Sequence, residues 1–127
     1  MIPVKIREQL GDSFVVSKGL DGCLWMMDNE EWKRLEDEIH SMPFGKKETR
    51  MLARFIFAGA ADGELDKQGR VLIPPVLREF AGLEKDVVLS GVGSRVEIWD
   101  KEKYSSYNDD ENMEMVADKL ADLGFGL

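Results

Sequence analysis

The residues best suited to a chemical role lie in one short run, Asp66-Lys67-Gln68-Gly69-Arg70, between two apolar segments. Asp66 and Gly69 are typical of a tight turn, because aspartate bonds to nearby backbone amides and glycine tolerates a positive φ. Such a turn would carry Lys67 and Arg70 outward on a rigid tip. The planar guanidinium of arginine suits phosphates and guanine edges. The run therefore indicates either a cationic contact with a polyanion or a plain solvated hairpin turn.

Other chemistry is poorly supported by the residue types present. The single cysteine, Cys23, excludes an internal disulfide, and with the single histidine, His40, it leaves too few thiol and imidazole groups for a zinc site or a nucleophile pair. The acidic run at residues 109–111 stands where a helix is predicted to begin, and carboxylates are favoured there for electrostatic reasons alone. We therefore expect no enzyme, no cofactor, no metal site and no small-molecule substrate.

The charge of the chain is unevenly distributed. Its 127 residues carry 17 Lys and Arg against 25 Asp and Glu, a net charge of −8, which argues at first against a nucleic-acid partner. Residues 46–79, however, carry seven cations and five anions, whereas residues 100–127 carry three and eight. The positive segment contains the run at residues 66–70. This asymmetry would turn that segment toward a polyanion and the acidic tail away from it.

Hydrophobicity and length indicate one soluble domain. Hydrophobic residues make up 43% of the chain, which is enough for a single core. No apolar run approaches the roughly 20 residues of a membrane span, and the first residues lack the apolar region of a signal peptide. We expect a cytoplasmic protein without a membrane partner.

An internal repeat organises the chain. Residues 2–8, followed by Gly11, match residues 73–79, followed by Gly82, at a constant offset of 71, and the match continues into the segments that follow. Arg7 and Arg78 occupy equivalent positions, where each either assists DNA binding or pairs with the glutamate that follows it. Residues 57–72 have no counterpart before Ile2. The first copy is therefore expected to be shortened by about one hairpin.

Local patterns predict an α+β fold. Strands at residues 61–65 and 70–73 would form one hairpin and strands at 87–90 and 95–99 another, with a short helix at 76–81. Asp28 would cap a helix and Glu31 would complete a capping box. Further helices are predicted at 46–57 and at about 110–123. A single domain would divide into a shortened first repeat (1–32), a helical connector (33–56), a second repeat (57–104) and a C-terminal helical tail (105–127).

Several motifs together resemble one known family. The D-x-x-G-R run continuing into V-L-I-P-P-V-L-R-E-F-A-G-L, the strand end E-I-W-D and the tail A-D-K-L-A-D-L-G-F are similar to the MraZ family of bacterial transcriptional regulators, relatives of the AbrB/SpoVT swapped-hairpin proteins. The resemblance implies a tandem pseudo-twofold repeat of β-hairpin units that forms a small double-split barrel. It also implies a homo-oligomeric ring that binds short promoter direct repeats of the division and cell-wall gene cluster, and association with the nucleoid.

The resemblance also implies roles for single residues. Arg70 would contact double-stranded DNA, with help from Lys67, Arg78 and Arg7, and Asp66 and Gly69 would shape the turn. The net acidity and the shortened first copy leave a second hypothesis open, in which the chain is a protein-interaction or assembly module that does not bind DNA.

Overall fold

The computed structural model describes residues 2–108 and 112–126. Six α-helices and five strands lie in these ranges, and a short 3-10 turn at Leu20–Gly22 joins the first two strands. In chain order the elements are α1 (Val4–Leu10), β1 (Ser13–Lys18), β2 (Leu24–Asp28), α2 (Asn29–His40), α3 (Lys47–Ala58), β3 (Ala61–Glu64), α4 (Pro75–Ala81), β4 (Val87–Val92), β5 (Arg95–Asp100), α5 (Lys101–Tyr107) and α6 (Met113–Asp122). The acidic run at 109–111, with the predicted start of the last helix, lies outside the described residues.

The strands form one antiparallel sheet in the order β3-β1-β2-β5-β4. Helices flank this sheet, and the predicted α+β class is confirmed. The predicted hairpin of β4 and β5 is present, but β4 continues to Val92 instead of ending at residue 90, so that the turn is only Gly93 and Ser94.

The sheet shows that the two repeats are related by a pseudo-twofold axis. Helix α4 begins and ends 71 residues after α1, the offset of the sequence repeat. At the centre of the sheet, Leu24 pairs with Ile98 and Met26 with Val96, on either side of the pair Trp25 and Glu97. Each residue of β2 has its repeat equivalent 72 positions later, in β5. Exchanging equivalent residues turns the pair of Leu24 and Ile98 into the pair of Met26 and Val96, so the pairing of the two strands is symmetric. The internal repeat predicted from the sequence is therefore a structural symmetry.

Each face of the sheet contributes to its own hydrophobic cluster. Because successive strand residues point to opposite faces, alternate residues pack with different helices. One cluster joins strand residues such as Phe14 and Val16 to Leu10 of α1 and Leu77 of α4. The other joins Trp25, Met27 and Trp99 to α2 and α3 through Leu35, Ile39, Ala53 and Ile56. The helices of the repeats and the connector helices thus cover different faces.

One predicted strand is wrong. Residues 70–73 form no ladder with β3, and only Val71 makes a single bridge, with Leu65. Strand β3 pairs instead with β1, from Ser13 opposite Glu64 to Val16 opposite Ala61. The returning chain lacks donors for a ladder at both ends, because the Arg70 N–H donates to the Asp66 carboxylate and Pro74 has no N–H. The returning chain therefore pairs with the preceding segment only through this bridge, next to the turn, before α4 begins.

The predicted capping box is only half correct. Asp28 Oδ1 accepts the backbone N–H of Glu31 at 2.8 Å, as expected for a cap. The Glu31 carboxylate does not accept the backbone N–H of Asp28, the second bond of a capping box. It accepts instead from Arg34 Nε at 2.7 Å and from Arg95 Nε at 2.8 Å. Charged guanidinium groups are stronger donors than a neutral amide, and the bond to Arg95 ties the β4–β5 hairpin to α2.

Candidate nucleic-acid interface

The turn at residues 66–70, called the tip from here on, is closed by the side chain of Asp66. Its Oδ1 accepts the backbone N–H groups of Gln68 and Arg70 at 2.8 and 2.9 Å, and its Oδ2 accepts from Arg70 Nε at 3.0 Å. The backbone N–H of Asp66 in turn donates to Arg70 O at 2.9 Å. These bonds lower the pKa of the Asp66 carboxyl, with the backbone N–H of Arg70 as the largest cause. Asp66 therefore remains ionised and holds the tip closed.

Gly69 brings the tip into contact with the first repeat. It has a φ of 75°, and a Cβ at this position would lie 2.8 Å from Arg7 Nη1. Its carbonyl accepts the backbone N–H of Ile2 at 2.9 Å. Only glycine meets both the conformation and the close approach. The tip of the second repeat therefore rests on the beginning of the first.

Arg70 is exposed and yet held in place. Its side chain is 63% exposed. Nε bonds to Asp66, and Nη2 donates to the side-chain oxygen of Gln68. Nη1 makes no hydrogen bond with any described residue. Because two of its nitrogens are already held, the guanidinium loses little freedom when it binds a ligand. Lys67 is exposed on the same tip.

Gln68 is a site residue that sequence reasoning missed. Its backbone N–H bonds to Asp66 and its side-chain oxygen accepts from Arg70, so that it supports the arginine from a second side. Its spacing of two residues from Arg70 within a tight turn was the feature that could have revealed it.

Arg7 lies beneath the tip, although the sequence separates them by about 60 residues. Its Nε is buried and has no hydrogen-bond partner among the described residues. It lines an open cavity of about 630 Å³ together with Glu8, Asp12 and Asp66. These three acidic residues make the cavity unfavourable for a phosphate. The position of Arg7 therefore fits support of Gly69 and the tip.

Arg78 lies apart from the other predicted residues. It is exposed on α4 and lines a shallow depression with Pro75, Glu79, Gly82, Leu83 and Glu84, and no tip residue belongs to this depression. The structure thus brings Arg70, Lys67 and Arg7 together around one turn, and Arg78 shares no cavity with them.

Two further properties follow from the described ranges. No helix in residues 2–108 or 112–126 combines the length and the apolar character needed to cross a membrane. Within the same ranges no three His, Cys, Asp or Glu side chains are arranged to hold a metal ion.

Comparison with known proteins reproduces the internal repeat. A family model described as "MraZ protein, putative antitoxin-like" matches the chain twice, over residues 1–55 and again over residues 56–123. The chain belongs to the MraZ family. The boundary between the two matches falls within α3, and each match contains one helix–strand–strand–helix copy of the repeat.

Individual MraZ proteins are similar over nearly the whole chain. The protein named transcriptional regulator MraZ from Acetivibrio thermocellus is 56% identical over 126 residues, which cover 98% of this chain and 88% of that protein. The protein of the same name from Heliobacterium modesticaldum is 52% identical, over 95% of this chain and 86% of that protein. The one from Clostridium beijerinckii is 51% identical, over 98% of this chain and 88% of that protein. These names support the expectation of a transcriptional regulator rather than an enzyme.

Proposed function

We propose that this MraZ-family chain is a sequence-specific, DNA-binding transcriptional regulator whose tip contacts double-stranded DNA. The observation that carries the proposal is the exposed Arg70 guanidinium, which Asp66 and Gln68 hold in one orientation. An arginine presented in this way suits a phosphate or the acceptor edge of a guanine. Lys67 adds a second exposed cation for the phosphate backbone.

Arg7 and Arg78 have lesser parts in this proposal. Arg7 supports the tip from below through its contact with Gly69. Arg78 is exposed on α4 and adds a cation away from the tip. Asp66 and Gly69 give the tip its shape.

The proposed target is a set of short direct repeats in the promoter of the division and cell-wall gene cluster, bound by a closed ring of subunits on the nucleoid. One tip offers only a few charged contacts. A ring would place several tips on successive repeats, and linked weak contacts gain about 10²–10⁴ in avidity. Exposed apolar side chains on α6 and at the residue that follows it support contact between subunits: Met113, Met115, Val116, Leu120 and Leu123.

The test is a titration of labelled promoter DNA from that cluster, followed by fluorescence anisotropy at several salt concentrations. The Arg70→Ala variant should bind at least ten times more weakly and show a smaller salt dependence, because each lost phosphate or base contact reduces affinity and counterion release. Lys33→Ala, which removes an exposed cation from α2, is the matched control and should bind like the parent protein. Equal binding by the parent and Arg70→Ala would refute the role of the tip.

A protein-interaction or assembly module is the second candidate function. The net charge of −8 and the exposed apolar residues of α6 favour it. Such a module would assemble or capture a protein partner without any salt-dependent affinity for DNA, so the same titration separates the two functions.

A further inference from the structure

Helix α3 exposes a stripe of positive charge. Lys47, Arg50 and Arg54 follow one another at spacings of three and four residues, so they share one side of the helix, and all three are exposed. None of them forms an ion pair with a described residue, and Arg50 Nη1 donates to the carbonyl of Phe44. Met51 lies on the same side. The four residues Lys47, Arg50, Met51 and Arg54 are called the basic face from here on.

The sequence of α3 does not neutralise this face. Residues 46–58 carry four cations and one anion, in a chain whose net charge is −8. Like charges three or four residues apart on a helix repel each other. An anionic partner would therefore stabilise the basic face.

Helix α6 carries a stripe of negative charge that matches it. Glu114, Asp118 and Asp122, called the acidic stripe from here on, are spaced four residues apart and exposed, and they form no ion pair with a described residue. At about 1.5 Å per residue, the acidic stripe extends about 12 Å along its helix and the cations of α3 extend about 10.5 Å. The two sets of charges correspond in number and length and are opposite in sign.

An exposed methionine accompanies each set of charges. Met51 precedes Arg54 by three residues and is 54% exposed, and Met115 precedes Asp118 by three residues and is 61% exposed. Residues three apart are neighbours on a helix surface, so each methionine lies beside the charges of its own helix. The flexible thioether side chain adapts to irregular contacts. The two surfaces therefore offer an apolar contact next to the charged one.

An antiparallel alignment of the two helices brings these features together. It places Arg54 opposite Glu114, Arg50 opposite Asp118 and Lys47 opposite Asp122. The two methionines then lie on the same side of the contact, whereas a parallel alignment would place them on opposite sides. Antiparallel helices also bring the negative end of each helix dipole close to the positive end of the other.

We propose that the acidic stripe of α6 docks on the basic face of α3 in a second copy of this chain, with the helices antiparallel. Within one molecule the two surfaces form no ion pair, and no residue of α6 is buried. Each chain has one surface of each kind and can bind two neighbours, which gives a closed ring or an open filament. The inference rests on the subunit assembly in the proposed function and names the two surfaces that meet in it.

The test reverses charges and measures self-association by sedimentation velocity without DNA. Arg54→Glu and Glu114→Arg should each raise the dissociation constant at least tenfold, because each places two like charges opposite one another. The protein with both substitutions should associate within threefold of the parent. Lys33→Glu makes the same change of charge as Arg54→Glu at an exposed site on α2 and should have no effect.

A mismatched pair tests the alignment. Arg54→Glu combined with Asp122→Arg should not restore association, since these residues lie at opposite ends of the antiparallel contact and salt screens charges over that distance. Equal recovery by the matched and the mismatched pair would overturn the proposal. So would a parent protein that remains monomeric, or a matched pair that fails to associate. Recovery by the matched pair also shows that both helices still fold.

DNA is the other polyanion that the basic face would attract. Normal association of Arg54→Glu, together with weaker binding of duplex DNA, would make DNA the partner of α3 and overturn the proposal. Arg70→Ala should associate like the parent protein, because the tip takes no part in this contact. Loss of DNA binding at the tip and loss of the contact between α3 and α6 are therefore measured separately.

Discussion

Asp66 and Arg70 are joined by three hydrogen bonds, two that Arg70 donates to the Asp66 carboxylate and one that its carbonyl accepts from the Asp66 amide. A single aspartate thus closes the backbone of the tip and orients the side chain proposed to contact DNA. The two residues act as a unit. Their effects on DNA binding should therefore depend on each other.

Arg70→Ala should weaken promoter binding by about 1–3 kcal/mol. Asp66→Ala should weaken it by less, because it loosens the guanidinium without removing it. The double variant should bind no more weakly than Arg70→Ala alone, since Asp66 acts through Arg70. Anisotropy titrations of the four proteins measure this coupling. Strictly additive losses would show that Asp66 acts on DNA by another route.

Gly69→Ala should destabilise the protein through two separable effects. A left-handed conformation costs an L-residue roughly 1–2 kcal/mol, and the new Cβ would meet Arg7 Nη1 at 2.8 Å. Gly82→Ala is the matched control, because Gly82 has a left-handed φ of 65° and no atom within 4 Å of an added Cβ. Urea unfolding should show a larger loss at position 69. An added Arg7→Ala should recover the difference, and an unchanged gap would contradict the contact.

Glu31 should make the protein sensitive to acid. The hydrogen bond from Arg34, followed by that from Arg95, lowers the pKa of Glu31 to about 2. A carboxyl with a lowered pKa stabilises the folded state above its unfolded pKa, and this contribution is lost between about pH 4.5 and pH 2. The full pKa shift corresponds to about 3 kcal/mol of folding stability. Because Arg34 is exposed, solvent screens its interaction with Glu31, and we expect a contribution of about 1–2 kcal/mol.

The measurement is the free energy of unfolding of the parent protein and of Glu31→Gln between pH 2 and pH 7. The variant should be less stable at neutral pH, and the two curves should converge as the pH falls. Curves that stay parallel over this range would show that the ion pairs of Glu31 contribute nothing.

Gly63→Ala should disturb the packing of β3 on the core. A Cβ at position 63 would lie 2.5 Å from Cε2 of Phe14, a side chain that is 1% exposed. Overpacking of this kind costs about 1–3 kcal/mol. Gly91→Ala in β4 is the control, because its Cβ would meet nothing within 4 Å. Phe14→Leu should relieve part of the cost, and equal unfolding midpoints for the two alanine variants would refute the close contact.

Much of the fold could be predicted because it depends on short-range chemistry. Asp28 does cap α2, and Gly82 does end α4 in a left-handed conformation. The repeat at an offset of 71 predicted two equivalent helices, and α1 and α4 follow it residue for residue. These features can be predicted from neighbouring residues or by comparing one part of the sequence with another.

Long-range contacts were beyond sequence reasoning. The pattern of residues 70–73 is that of a strand paired with β3, yet β3 forms its ladder with the distant β1, and the returning chain adds only the bridge of Val71 to Leu65. The capping-box pattern assigns Glu31 to its own helix, and the fold brings Arg95 to it from 64 residues away. In both cases the fold supplied a partner that is distant in the chain.

By itself the sequence determined the residues that form the turn of the tip, the internal repeat and the family to which the chain belongs. Each of these depends only on residue types at short or constant spacing. Only the tertiary structure decided that Arg7 lies against Gly69, that Arg78 shares no cavity with the tip, and that Arg95 reaches Glu31. The physical reason is that packing between repeats depends on which edges and faces meet, and a local pattern does not contain that information.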